Sequence, residues 1–193
     1  MSGLRHAFKE WAVVCAALAG GRQSIVLRKG GIAEDSGEFR LEHSRFWLYA
    51  TYMHQQRDAI TADALPLLEQ AEAERPPGGV VRVTHFAEAN SGVYHLHNLP
   101  AALLLGGMHC LSAATVKSRF EYKRPGLFVL PVRVYKAARA FDLPETPYYA
   151  GCRSWVELER ELPTAGGAPV LTDEAFREVR LRLDRLLRPT AMA

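Results

Sequence analysis

Between residues 28 and 55 the chain gathers Lys29, Glu34, His43 and His54 around the paired glycines Gly30 and Gly31. A lysine can hold a phosphate, and an imidazole of ordinary pKa about 6.5 exchanges protons near neutrality. A carboxylate, here Glu34 or Glu42, can orient that imidazole. Two glycines directly after a strand open backbone N–H groups to an oxyanion, and Arg28 beside them adds charge. Lys29, Glu34, His43 and His54 are therefore the catalytic candidates, suited to a phosphate-bearing substrate in the manner of a nuclease or phosphoesterase. The plain alternative is a polar turn with ordinary surface charges.

A second chemistry is written in charge. Residues 117–139 hold Lys117, Arg119, Lys123, Arg124, Arg133, Lys136 and Arg139 against Glu121 alone, whereas residues 58–74 hold five carboxylates and no Lys or Arg. A basic run of that kind can attract phosphate backbones, so Arg28, Lys117, Arg119, Lys123 and Arg124 are the nucleic-acid-binding candidates. Trp47, Trp155, Tyr148 and Tyr149 can stack on bases where they are exposed, with packing as the default.

Other patterns are weaker. His95 and His97 would share one face of a strand, but no third ligand stands at a diagnostic spacing and no metal site is assigned. Glu121-x-Lys123 matches half of a nuclease signature, yet sits at a helix end and lacks the preceding Asp. Cys152 beside Arg153 could be a stabilised thiolate, although a lone cysteine before a strand more often packs. Gly-x-Ser-x-Gly, a Walker loop and His-Glu-x-x-His are all absent, and the residues name no cofactor.

The composition frames these candidates. The chain has 193 residues, 48% hydrophobic and 23% charged, with a net charge of +3. That excludes disorder over most of the length and leaves apolar material for a core. The longest uncharged apolar stretch, residues 11–21, is half of what a membrane span needs. Lys9 and Glu10 fall where a signal peptide would be apolar. Three scattered cysteines fit a reduced, cytoplasmic protein.

The elements that must position the candidates follow from pattern. Leu4, Phe8, Trp11, Cys15 and Leu18 fall on one helical face, which predicts a helix over 4–19 stopped by Gly20 and Gly21. Residues 24–28 read as a strand, and 40–52 as extended chain. A helix is expected over 64–74 with Pro66 in its first turn, before the breaker at 75–79. Residues 80–86 alternate as a strand that continues into 89–96 or turns back near Asn90 and Gly92. A short apolar helix is expected over 100–105, and Ser112 should cap a helix reaching Phe120. Residues 127–135 read as one strand with an edge or bulge at Pro131. Thr172 should cap a last amphipathic helix bearing Phe176, Val179, Leu183, Leu186 and Leu187. The expectation is one α+β domain over 1–193, with a mainly antiparallel sheet, open or barrel-like, and flanking helices.

Several segments resemble a known family in order along the chain: AFKEW (7–11), RKGGIAE (28–34), EHSRF (42–46), TYMHQ (51–55), FEYKRP (120–125) and GCRSWVEL (151–158). Together they are similar to the uncharacterised bacterial family known as domain of unknown function 1802. The sequence departs from that pattern at Ala50 and Met53, where the family usually carries Pro and Glu. The resemblance brings no activity. It implies association with restriction-type nuclease domains of the Mrr kind, and so DNA handling.

Three functional readings stand: a nucleic-acid-associated recognition or accessory domain, an enzyme on a phosphate-bearing substrate, or a structural, partner-binding protein. Whichever of the three holds, the site is expected where the turn at 29–34 meets residues 42–55. If the strands on either side of the turn pair as a hairpin, Lys29 and His43 approach at the turn end, and His54 joins them only if the chain folds back after Tyr52. The oligomeric state is not legible.

Overall fold

The computed structural model describes residues 3–29, 41–90, 92–149, 151 and 153–187. In chain order its elements are β1 (Gly3–Trp11), α1 (Ala12–Ala19), β2 (Ile25–Arg28), β3 (Arg45–Thr51), α2 (Leu65–Ala73), β4 (Val80–Glu88), β5 (Tyr94–Leu96), α3 (Leu99–Leu103), α4 (Ala113–Glu121), β6 (Leu127–Pro131), β7 (Arg133–Pro144), β8 (Trp155–Pro163), β9 (Ala168–Pro169) and α5 (Asp173–Leu187). A six-stranded sheet runs β8-β1-β3-β4-β7-β9, and a three-stranded sheet runs β2-β6-β5. The fold is mixed α+β and mainly antiparallel, with β1 and β3 as its parallel pair.

The first half of the expected helix at 4–19 is instead β1. Phe8 packs into the core that the helices and the small sheet share, while Ala7 packs into a second apolar cluster. A strand buried on both faces shows no period of two, so helical spacing at Leu4, Phe8 and Trp11 was a coincidence of composition. Only Ala12–Ala19 is helical, and it is apolar nearly all round because it is almost wholly interior. Gly20 and Gly21 end it as expected: Gly21 has φ +70° and its N–H donates to the Leu18 carbonyl.

β3 carries the same division, with Phe46 and Leu48 in one cluster and Trp47 and Tyr49 in the other. The second cluster draws on β8, β1, β3, β4 and β7, all strands of the large sheet. The sheet therefore curls about its own side chains, but no ladder joins β8 to β9 and no barrel closes among the described residues. Full burial of a Trp47 or a Leu158 contributes roughly 2–3 kcal/mol each to holding that curl.

Two strand expectations change. β5 does not extend or pair with β4; it joins β6 in the small sheet. The stretch 127–135 is two strands, not one: β6 lies centrally in the small sheet, and after Val132 the chain enters β7 of the large one. Pro131 marks that crossing. The helix ends were legible. Ser112 Oγ accepts the Thr115 N–H at 3.2 Å, and Thr172 Oγ1 accepts that of Ala175 at 3.2 Å. No helix among the described residues is long and apolar enough to cross a membrane.

Candidate nucleic-acid interface

β2 and β3 lie in different sheets, so the hairpin that would have joined Lys29 to His43 does not exist. Lys29 Nζ donates to the carbonyls of Phe120, Arg124 and Gly126, pinning the turn after α4. Burial pulls its ammonium below the ordinary lysine value. His43 stacks on His6 with ring centres 3.5 Å apart and meets Trp155 edge-on at 5.3 Å. Burial lowers its pKa, and His6 pushes the same way, against Glu42 and Glu157. His54 is exposed, with φ +66°, beyond the end of β3. Gly30, Gly31 and Glu34 lie outside the described residues, as does Cys152. The structure thus gives Lys29, His43 and His54 three separate settings.

The basic run disperses as well. Lys117, Lys123 and Arg124 are exposed, but Arg119 turns inward, since positions two apart on a helix do not share a face. Arg133 pairs with Asp173, Lys136 lines a cavity beside His85, and Arg139 lies over Phe141. Trp47 and Tyr149, offered as stacking residues, are core. Trp155 packs against Phe8 and Phe46, leaving Tyr148 the exposed member of the four. His95 lies over Phe128 and 4.0 Å from His97, and no three potential metal ligands cluster among the described residues.

What does converge is a different set. The ends of β1 and β3, the strap 52–54, the turn 75–78, the start of β4 and the residues before β8 enclose a cleft of about 650 Å³. Among the described residues its walls carry Lys9, Arg28, Arg75, Arg82 and Arg153 with one carboxylate, Glu145, and the rings of Trp11 and Tyr52, while the buried Tyr49 and Tyr149 lie behind them. Four of the segments that resemble the family meet here, through Lys9 and Trp11, Arg28, residues 51–54, and Gly151 with Arg153. So do both departures from its pattern, Ala50 and Met53.

The floor is built from the interior outward. β1 points Glu10 into the core, where it is 3% exposed. Such a carboxylate must be compensated. Its Oε1 accepts the Trp11 N–H at 2.9 Å, Arg28 Nη1 donates to Oε2 at 3.3 Å, and Arg119 Nη2 stands 3.8 Å from Oε1. Arg28 also donates to Ser154 Oγ at 2.6 Å and lies 4.8 Å from the Phe8 ring centre. Arg119 donates to the Leu27 carbonyl at 3.0 Å and backs the Trp11 ring at 4.5 Å. Burial lowers the Arg119 pKa while Glu10 supports its charge. One carboxylate between two guanidiniums leaves a surplus positive charge, and Arg28 is the member that reaches the cleft.

The rim has contacts of its own. Lys9 Nζ donates to the carbonyls of Tyr149 at 2.7 Å and Gly151 at 2.8 Å. Arg75 lies over the Tyr52 ring at 4.8 Å, and burial raises the Tyr52 pKa. Arg82 is paired with Asp142, whereas Arg153 is exposed and has no partner among the described residues. Fixed cations and aromatic rings about one concavity can bind an anion that also has a flat apolar part. Sequence reasoning found Arg28 and His54 and missed Lys9, Trp11, Tyr52, Arg75 and Arg153. The available signal was the set of family-like segments, had they been read as one surface.

Residues 7–182 match the family described as domain of unknown function (DUF1802), and the chain belongs to it. Among solved structures it is similar to the ASCH protein from Zymomonas mobilis, at 12% identity and TM-score 0.46 over 91% of this chain and 93% of that one. Two single-substitution variants of that protein align at 13% and 12% identity, each with TM-score 0.45. One covers 92% of this chain and 94% of its own, the other 91% and 96%. No curated protein matches the chain.

Proposed function

We propose that this chain is a single nucleic-acid-associated domain, a recognition or accessory module without catalysis of its own, acting in the cytoplasm. The observation that carries the reading is the cleft, where among the described residues five cations and one carboxylate line the walls together with the rings of Trp11 and Tyr52. Phosphate contacts give affinity and ring stacking tolerates any base, which is how sequence-tolerant single-strand sites work. The family resemblance adds the expectation of a restriction-type nuclease as its partner.

The test is fluorescence anisotropy with labelled single-stranded DNA and RNA over a salt series. Binding should weaken with salt at a log–log slope of about −0.7 for each phosphate neutralised. No complex with either polymer at low salt would overturn the reading.

A further inference from the structure

We infer that the cleft takes one unpaired nucleotide, its base against Trp11 and its phosphate at Lys9, Arg28 and Arg153, so that a mononucleotide is already a ligand. The inference rests on the nucleic-acid reading and sharpens it. A cavity of about 650 Å³ lies within the ~300–1,000 Å³ of pockets that enclose a small molecule. Bases paired in a duplex can enter such a pocket only by leaving the stack, which disfavours duplex against single strand. Trp11 and Lys9 are two residues apart on β1, roughly 7 Å along the strand, and both line the cleft. That is a span suited to a base and its own phosphate. Arg119 backs Trp11 but does not line the cleft, so the guanidinium occupies the side of the indole away from the ligand. Arg28 arrives already oriented by Glu10 and Ser154, which lowers the ordering cost of binding an anion. Met53, 70% exposed at the rim, adds apolar surface and no negative charge.

The experiment titrates the full chain with each of the four ribonucleoside monophosphates and with inorganic phosphate. Tryptophan fluorescence is followed, and the same ligands then compete against a labelled single-stranded oligonucleotide. At least one mononucleotide should quench the fluorescence and displace the oligonucleotide, at a concentration tenfold or more below that of inorganic phosphate. Duplex of the same sequence should bind at least tenfold more weakly than the single strand. Trp11→Phe should abolish the quench while retaining binding, and Met53→Glu and Arg153→Glu should each weaken the mononucleotide fivefold or more. Phosphate competing as well as any mononucleotide would overturn the inference, as would duplex and single strand binding equally without displacement by a mononucleotide. In those two cases the nucleic-acid reading survives. If neither polymer binds, both fall.

Discussion

The basic run at 117–139 and the cleft both draw on Arg and Lys, but they are opposites in construction. The run is contiguous in sequence and scattered in space: three of its members lie on β7, where Arg133 meets Asp173, Lys136 a cavity and Arg139 the Phe141 ring, and Arg119 on α4 turns inward. The cleft is scattered in sequence, from Lys9 to Arg153, and contiguous in space. Local charge density along a chain says little about surface potential when helices and strands turn neighbouring residues to different faces.

The sharpest way to break this contrast is Glu10→Gln. If the cleft floor is a built ion cluster, removing its carboxylate strands Arg28 and Arg119, and urea unfolding should show a loss of roughly 3 kcal/mol or more. A loss below 1 kcal/mol would show that the floor is no more structural than the run.

Acid titration probes the next effect and touches the run through Lys136. Burial pushes His109 down to about 4, and burial together with Lys136 pushes His85 down to about 4. The unfolded chain then takes up protons that the folded chain refuses, so stability should fall as pH drops from about 6.5 toward about 4, this histidine contribution being complete above about 7. His109 alone should account for roughly 2–3 kcal/mol of that fall. Lys136→Met should lessen the His85 share, visible as a shallower slope of unfolding free energy against pH.

Lys29→Met should cost about 1–3 kcal/mol, since three carbonyls of the turn after α4 lose a charged donor. Lys117→Met, in the run, should change stability by less than about 0.5 kcal/mol. In binding, Arg153→Ala should weaken the single-strand complex about tenfold, near 1.4 kcal/mol, while the double variant Lys117→Ala, Lys123→Ala stays within about twofold. Reversal of that order would return the interface to the run.

Much of the fold was legible where one principle acts alone. Ser112 and Thr172 cap helices because a hydroxyl satisfies an orphan N–H whatever lies around it. Pro66 and Gly21 likewise express backbone chemistry. β1 failed because burial on both faces erased its alternation, and β5 failed because strand pairing is a long-range choice between two sheets. For the site, Arg28 was found beside its strand end and His54 within a family-like segment. Glu10 was passed over because a carboxylate between the apolar positions of the helix expected over 4–19 reads as solvent-facing until its two guanidinium partners, 18 and 109 residues away, are seen.

The junction between β1 and α1 contains no connecting residue: Trp11 ends the strand and Ala12 begins the helix. This makes the segment a ruler on which length cannot vary. One residue inserted within β1 would exchange its two faces, turning Glu10 out of the interior and Lys9 in. One inserted after Trp11 would rotate α1 by about 100°, moving Val13 and Leu18 off their contacts. Gly78 and Gly79 tell the reverse story, with nothing within 4 Å of where a Cβ would stand. Insertions and deletions among relatives should therefore accumulate at that turn, remodelling the mouth of the cleft, while the eight residues from Ala7 to Val14 keep their spacing.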